Sequence, residues 1–379
     1  MQVFRRSDRS PVAEWWRTVD KGMIATAFAL LCLGLVLSLA AGPEAARRIG
    51  QADPYHFVYR QVVFAGLAVA VMLTLSLLSP VWVRRLAVLV FLVSFGLMTA
   101  VLLAGHEAKG AQRWIRFGGS TFQPSEMIKP ALIVISAWLL ALRGLYPKGP
   151  LAMSAFSFYA VTVGLLLLQP DVGQAVLLTG AFLIVFFVLG LPWKWALGFL
   201  VGGVAMGSGL YLLLPHVRRR VDSFLNPTEY DTYQIDKARE AIQHGGVFGV
   251  GPGEGDVKAA LPDAHTDFIF AVAGEEFGLI ACAGLAICFA FISIRGILMA
   301  SRNPDLYERA AGVGLFALFG LQAAINMSVN LSLMPPKGMT LPLVSSGGSS
   351  LLGTALTLGF ALALTRRRPD TLISVLRTS

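Results

Sequence analysis

The chain has 379 residues, of which 55% are hydrophobic and only 14% charged, and its mean hydropathy is +0.67. A water-soluble domain carries roughly 25% charged residues, so the composition excludes an ordinary soluble fold and points to a multi-spanning helical membrane protein. The net charge of +9 lies in loops beside apolar runs, and no basic run alternates with aromatics for base stacking; this argues against nucleic acid and for anionic lipid headgroups or lipid phosphates.

In chain order, residues 1–21 are polar, with Arg5, Arg6, Arg9, Arg17 and Lys21, and they carry a Trp15-Trp16 pair suited to a membrane interface. The apolar run 22–41 follows a charged lead too long for a typical signal peptide, so an uncleaved first helix is expected. The small residues near Ala41 leave a cleavage site as the alternative. Nine further spans are predicted: 62–78, 86–104, 127–142, 153–168, 173–189, 195–214, 268–294, 310–331 and 344–364. Several sit near the short end of the roughly 17–25 residues that a spanning helix needs. The three cysteines, Cys32, Cys282 and Cys288, fall inside apolar runs, so neither a disulfide nor a metal cluster is expected.

Ten spans put both termini on one side. With that side cytoplasmic, 17 basic residues lie inside and 13 outside, and most of the outer ones sit in long loops where the positive-inside rule has little force. The expected fold is thus an all-α integral membrane protein, a bundle of about ten transmembrane helices with a large extracytoplasmic loop. A cytoplasmic segment 1–21 precedes the transmembrane domain 22–366, and a cytoplasmic tail 367–379 follows it. Outer loops are expected at 105–126, 215–267 and 332–343. Within the large one, Tyr233, Ala238, Ala241 and Ile242 recur at helical spacing and suggest a short helix lying on the membrane. The run GVFGVGPGEG after it lacks the Lys-Ser/Thr of a phosphate-binding loop and reads as a tight, extended outer loop.

Ionisable groups at the edges of spans or within them are costly and mark candidate sites. Asp267 stands where the polar loop becomes the eighth span, held by an apolar segment yet reachable from water. It suits a base that takes a proton from a lipid-borne substrate, and it could also cap the helix, since capping and chemistry are not exclusive. Glu126 and Lys129 lie three apart on one helix face, as an anchoring ion pair or as site residues. Asp171, in a two-residue turn, is either a helix cap or a site residue. Glu275 and Glu276, two to three turns into the eighth span, read as structural, one of them paired inside the bundle. His265 and Thr266 adjoin Asp267. The five histidines are too scattered for a metal site, and no nucleophile elbow is present.

The blocks KGAQRWI (109–115), FQPSE (122–126) with Lys129-Pro130, QPD (169–171), AHTDFIFAVAGEE (264–276) and NMSVNLSLMPPKGMTLPLVSSGGSS (326–350) together resemble the SEDS family of bacterial cell-wall polymerases, which includes FtsW, RodA and SpoVE. The Pro-Asp-Ala-His stretch before Thr266 looks closer to the FtsW branch. The resemblance implies a peptidoglycan glycosyltransferase of the bacterial cytoplasmic (inner) membrane, acting on lipid II during cell division beside a class B penicillin-binding protein and other division proteins. It carries Asp267 over as the essential carboxylate and Glu126, Lys129 and Asp171 as cavity residues. The chain departs from the family pattern at Ser346 (usually Tyr), Pro336 (usually Thr), and Ser328 and Ser332 (usually Gly). These departures bear on Lys337 and Ser349 as site residues.

In that reading Asp267 is the general base for a sugar hydroxyl. Arg60, Lys109, Arg113, Arg116 and Lys337 are the candidates to balance a pyrophosphate leaving group, each with a plain alternative as an interface anchor. No cofactor is evident, although a divalent cation such as magnesium or manganese could share the task. The rival readings are a lipid II flippase and a non-catalytic division scaffold.

Overall fold

The computed structural model describes residues 10–104, 106–108, 111–117, 120–143, 146, 149–190, 193–213, 218, 222 and 233–366. Its helices are α1 Pro11–Thr18, α2 Lys21–Arg48, α3 His56–Ser76, α4 Pro80–Ala104, α5 Ser125–Leu142, α6 Leu151–Leu168, α7 Val172–Val188, α8 Trp193–Leu213, α9 Tyr233–Gly245, α10 Val257–Ala260, α11 Ile269–Ser301, α12 Leu306–Asn330 and α13 Gly348–Thr365. Eight of them, α2–α6 and α11–α13, are long and apolar enough to cross a membrane. Two shorter apolar helices, Val172–Val188 and Val201–Leu213, fall at the other two expected positions. The all-α membrane class holds. The cytoplasmic tail expected at 367–379 lies outside the described residues, as does most of the first half of loop 215–267.

Element boundaries differ from expectation where local chemistry overrides hydropathy. Helix α2 runs on past Ala41, through Pro43, to Arg48. The last span begins only at Gly348, because residues 341–347 form turns rather than helix. Within the stretch expected as loop 105–126, His106–Ala108 (β1), Ala111–Phe117 (β2) and Ser120–Phe122 (β3) form a small antiparallel sheet in the order β1-β2-β3. Hydropathy reads for spans and passes over strands as short as three residues.

Helices α5, α12 and α13 form the centre. In their most apolar stretches, 72%, 72% and 89% of residues are buried by protein, against 28% for α4, α6 and α11, whose apolar surface faces outward. Small residues permit the close central packing: a Cβ at Gly353 of α13 would lie 2.8 Å from the backbone oxygen of Glu126 in α5. At one end of the bundle Arg295 of α11 pairs with Asp20 at 2.6 Å, and Arg366 donates to Thr18 at 3.1 Å and to the carbonyl of Ser76 at 3.3 Å. The two ends of the described chain therefore meet. At the other end of α2, Arg48 donates to the Ala259 carbonyl beside the stretch that carries Asp267.

The glycine-rich run is not the extended outer loop expected from its composition. Helix α11 breaks at Gly278, whose φ is +76°. The break strands the carbonyls of Glu275 and Glu276 and the amides of Leu279 and Ile280, which must find partners because no water reaches them in a bilayer. The loop supplies those partners with its own backbone. Val250 and Gly251 donate to the Glu275 and Glu276 carbonyls at 3.0 and 3.1 Å, and the Gly246 and Val247 carbonyls accept from Leu279 and Ile280 at 3.0 and 3.3 Å. Glycine is needed for the approach: a Cβ at Gly249 would lie 2.2 Å from the Glu276 carbonyl oxygen. The side chains finish the joint, as expected for structural acids. Glu275 accepts from the amides of Val257 and Lys258, each at 2.8 Å, and Glu276 pairs with the buried Lys258. Helix α9 is also present, with Ala238 and Ala241 buried and packed against α11.

A Cβ at Gly278 would lie 2.3 Å from the Val247 carbonyl oxygen, in a backbone conformation that side chains rarely adopt. Gly278→Ala should cost about 1–3 kcal/mol or more and lower the thermal unfolding midpoint in detergent. Gly284→Ala in the same helix, where nothing lies within 4 Å, should leave it unchanged or raise it slightly. Equal midpoints for the two variants would contradict the joint.

Candidate functional site

The turn that carries Asp267 is built from three converging amides. Asp263 takes a left-handed conformation, φ +55°, and its carbonyl accepts from the amides of Thr266, Asp267 and Phe268 at 3.0–3.3 Å. Asp267 is not the cap of α11. The helix starts after Phe268 without a side-chain cap, and the amide of Ala271 in its first turn is taken by Asn330 Oδ1 at 3.0 Å. From the other side, Ser346 donates its amide to the His265 carbonyl at 2.9 Å, and Ser345 Oγ donates to the Thr266 carbonyl at 2.5 Å. The stretch 264–267 is thus pinned to the turns that precede α13.

Asp267 opens onto a cavity of about 530 Å³. Of the residues expected from sequence, Arg60, Arg113, Arg116, Glu126, His265, Thr266, Lys337 and Ser349 also line it. Lys129 does not: it lies 2% exposed below the cavity. Asp171 is likewise buried behind the wall, and Lys109 lies outside the described residues. The ring of His265 stands 4.5 Å from that of Phe57, and Gln234 at the start of α9 brings the large loop to the cavity edge.

The basic groups differ in how they are held. Arg113 of β2 donates from Nε to the Gln169 carbonyl at 2.8 Å and from Nη2 to the Pro170 carbonyl, and its Nη1 lies 3.6 Å from Asp171. That guanidinium is committed to the QPD turn and ties the small sheet to the bundle. Arg116 is exposed, and Arg60 half-buried. Lys337 is half-buried, and burial holds its ammonium below the usual lysine range, so an arriving anion would stabilise its charged form. Among the described residues no three His, Cys, Asp or Glu side chains converge as a metal-binding group.

Below the cavity lies a closed polar network. Lys129 Nζ donates to Glu126 at 2.9 Å, to Gln174 of α7 at 2.7 Å and to Gln322 of α12 at 3.2 Å. Gln174 Nε2 returns to the other Glu126 oxygen at 2.7 Å. Asp171 does cap α7, accepting from the Gln174 amide at 3.4 Å, and it also accepts from Gln123 at 3.2 Å. The charged members were legible as charges at the edges of spans or within them. The amides that complete the network, Gln123, Gln174 and Gln322, were missed, as were Asn326 and Asn330. For Gln174, Gln322, Asn326 and Asn330 the signal was available, since an uncharged amide in an apolar span also needs a buried partner; Gln123 lies in the expected loop 105–126 and carried no such signal.

Comparison with known proteins places these features in context. The family profile described as "Cell cycle protein" (FtsW/RodA/SpoVE) matches residues 21–369. The chain is 48% identical, over 97% of its length and 94% of the relative's, to a protein of Caulobacter vibrioides named "Probable peptidoglycan glycosyltransferase FtsW". It is 35% identical to the protein of that name in Geobacter metallireducens, over 93% of this chain and 96% of that one. Among solved structures, a chain from "Structural coordination of polymerization and crosslinking by a peptidoglycan synthase complex" superposes with a TM-score of 0.75 at 32% identity, covering 92% of this chain and 97% of that one. The Thermus thermophilus rod shape determining protein RodA superposes at 0.68 with 30% identity and the same coverage.

The buried ion pair makes a specific demand. Removing one partner leaves an uncompensated charge, at about 3–5 kcal/mol. Lys129→Met should lower the yield of folded, monodisperse protein, and adding Glu126→Gln should partly restore it. Normal yield with lost activity in the single variant would instead assign Lys129 to substrate.

Proposed function

The chain belongs to the FtsW/RodA/SpoVE family and is a peptidoglycan glycosyltransferase; from that premise we propose that it polymerises lipid II, the undecaprenyl-pyrophosphate-linked disaccharide peptide, at the outer face of the cytoplasmic membrane during septal synthesis. Asp267 is the general base in this reading. The observation that carries it is one cavity, at the junction of apolar helices and polar turns, onto which Asp267, Arg60, Arg116 and Lys337 all open.

The chemistry follows from those groups. The 4-hydroxyl of the acceptor sugar is a weak nucleophile at neutral pH, and a carboxylate in hydrogen-bond reach takes its proton as the oxygen attacks the donor's anomeric carbon. The bond from that carbon to the phosphate oxygen breaks, and the pyrophosphate leaves with the electron pair. Arg60, Arg116 and Lys337 balance its charge, and Arg113 contributes mainly by holding the sheet in place. The exposed apolar faces of the outer helices leave both lipid tails in the bilayer while the sugars react above it. A class B penicillin-binding protein then crosslinks the strand beside it. With the cavity outside, both termini are cytoplasmic.

Two measurements test this. Asp267→Asn keeps the size of the side chain, removes the proton acceptor, and should lower glycan polymerisation from lipid II by about 10²–10⁴ in protein that still folds and binds its transpeptidase partner. Near wild-type polymer would sink the base assignment. A flippase predicts translocation without polymer from the wild type, and a scaffold predicts that Asp267→Asn supports growth. For topology, a cysteine at Thr228 should react with a membrane-impermeant thiol reagent in intact spheroplasts. Labelling only after lysis would reverse the orientation.

A further inference from the structure

Two asparagines one turn apart on α12 reach the same peptide group. Asn326 and Asn330 are 1% and 0% exposed, and both donate from Nδ2 to the carbonyl of Asp267, at 2.8 and 3.0 Å. Their other bonds differ. Asn330 accepts the Ala271 amide at 3.0 Å and donates to the Asn326 carbonyl at 2.9 Å, which makes it a cap for the start of α11. Asn326 instead donates to the Met339 carbonyl at 2.6 Å. Met339 follows Gly338 and Lys337, and a Cβ at Gly338 would lie 3.6 Å from Asp267 Oδ2. One buried amide therefore bridges the segment that carries the acid and the segment that carries the cavity lysine.

We propose that Asn326 is a positioning residue, which fixes Asp267 against Lys337 by holding the carbonyls of Asp267 and Met339 together. The need is physical. Neither segment is helical where the amide reaches it, so no repeating ladder sets their separation; Ser345 and Ser346 tie the neighbouring Thr266 and His265 carbonyls to the turns before α13, and Asn326 is the side chain that spans from the Asp267 carbonyl itself to that of Met339. Residues 335–338 make no backbone-to-backbone bond of their own among the described residues. An amide supplies both bonds because its NH₂ has two donors, one for each carbonyl. Aspartate at the same position would place acceptors against acceptors. Small displacements of a base from its substrate cost large factors in rate, so loss of the bridge should act on turnover more than on binding.

This inference rests on the reading of Asp267 as the base, and the test separates the two. Polymerisation of lipid II is measured for Asn326→Ala, Asp267→Asn and the double variant, each as the full-length protein in complex with its transpeptidase partner and normalised to folded protein. Asn326→Ala should lower kcat on the order of 10–100-fold with KM within about threefold. In the Asp267→Asn background the same change should cost less than about threefold more, because a residue that acts through another has nothing left to position. Asn326→Ser, which keeps one donor, should recover part of kcat. A near wild-type rate for Asp267→Asn defeats the base reading alone. With Asp267→Asn impaired as expected, wild-type kcat in Asn326→Ala, or a full further 10–100-fold loss in the double variant, overturns the positioning role. If neither Asn326→Ala nor Asn326→Ser yields folded protein, the residue belongs to the fold and the proposal also fails.

Discussion

A peptide group that leaves a helix inside a bilayer has to be satisfied by protein, and that constraint governs how this molecule builds its site. Around the cavity and the helices beside it stand four segments that are not helical: the QPD turn, the turn through Asp263 to Asp267, residues 331–347, and the glycine-rich run. Each is irregular, and each is anchored by backbone or amide partners from a neighbouring helix. Asn326 and Asn330 hold the Asp267 carbonyl, Gln61 reaches the carbonyls of Val344 and Ser345 at 3.3 and 3.4 Å, and Gln322 reaches that of Thr340 at 3.3 Å. Glutamine and asparagine serve here because an amide bonds a carbonyl without bringing a charge into the core.

The Glu126–Lys129 pair answers the same constraint with charge. It lies beneath the cavity, where α5, α7 and α12 meet, and its two members are hydrogen-bonded by Gln174 and Gln322. A buried ion pair adds little net stability over an apolar replacement. Its geometry ties helices together: one lysine bonds three acceptors that come from three helices. The network also touches the site, since Glu126 and Gln174 reach the cavity wall while Lys129 stays below it. The floor of the cavity is therefore a hydrogen-bonded polar lattice, and the groups proposed to meet substrate stand above it, Asp267 and Lys337 on irregular segments, Arg60 on α3 and Arg116 on β2.

The broken α11 shows how the large loop takes part. Its glycines let backbone approach backbone closely enough to repair the break at Gly278, and Lys258 and Glu276 close the joint. The same loop contributes Gln234 to the cavity edge. These bonds join loop and helix beside Asp267, so the described part of the loop between the seventh and eighth expected spans is partly site wall rather than connection.

The sequence by itself determined the membrane class, the order and approximate extent of the apolar helices, and the charged residues that stand out among them, because hydrophobicity and buried charge are local and costly. Asp267, Glu126, Lys129 and Asp171 were legible for that reason, and helical spacing offered the pairing of Glu126 with Lys129 as one of two readings, which the structure bears out. Only the tertiary structure decided which of these meet. It set Lys129 under the cavity, committed Arg113 to the QPD turn, removed Asp267 from the helix cap, and packed the glycine-rich run against the break in α11. Those outcomes depend on carbonyls and amides from distant segments, and a backbone group carries no residue identity that a sequence can display. The same reason hid Asn326: its partners are two main-chain oxygens, 59 and 13 positions away, which become neighbours only when α11, α12 and the turns before α13 have packed.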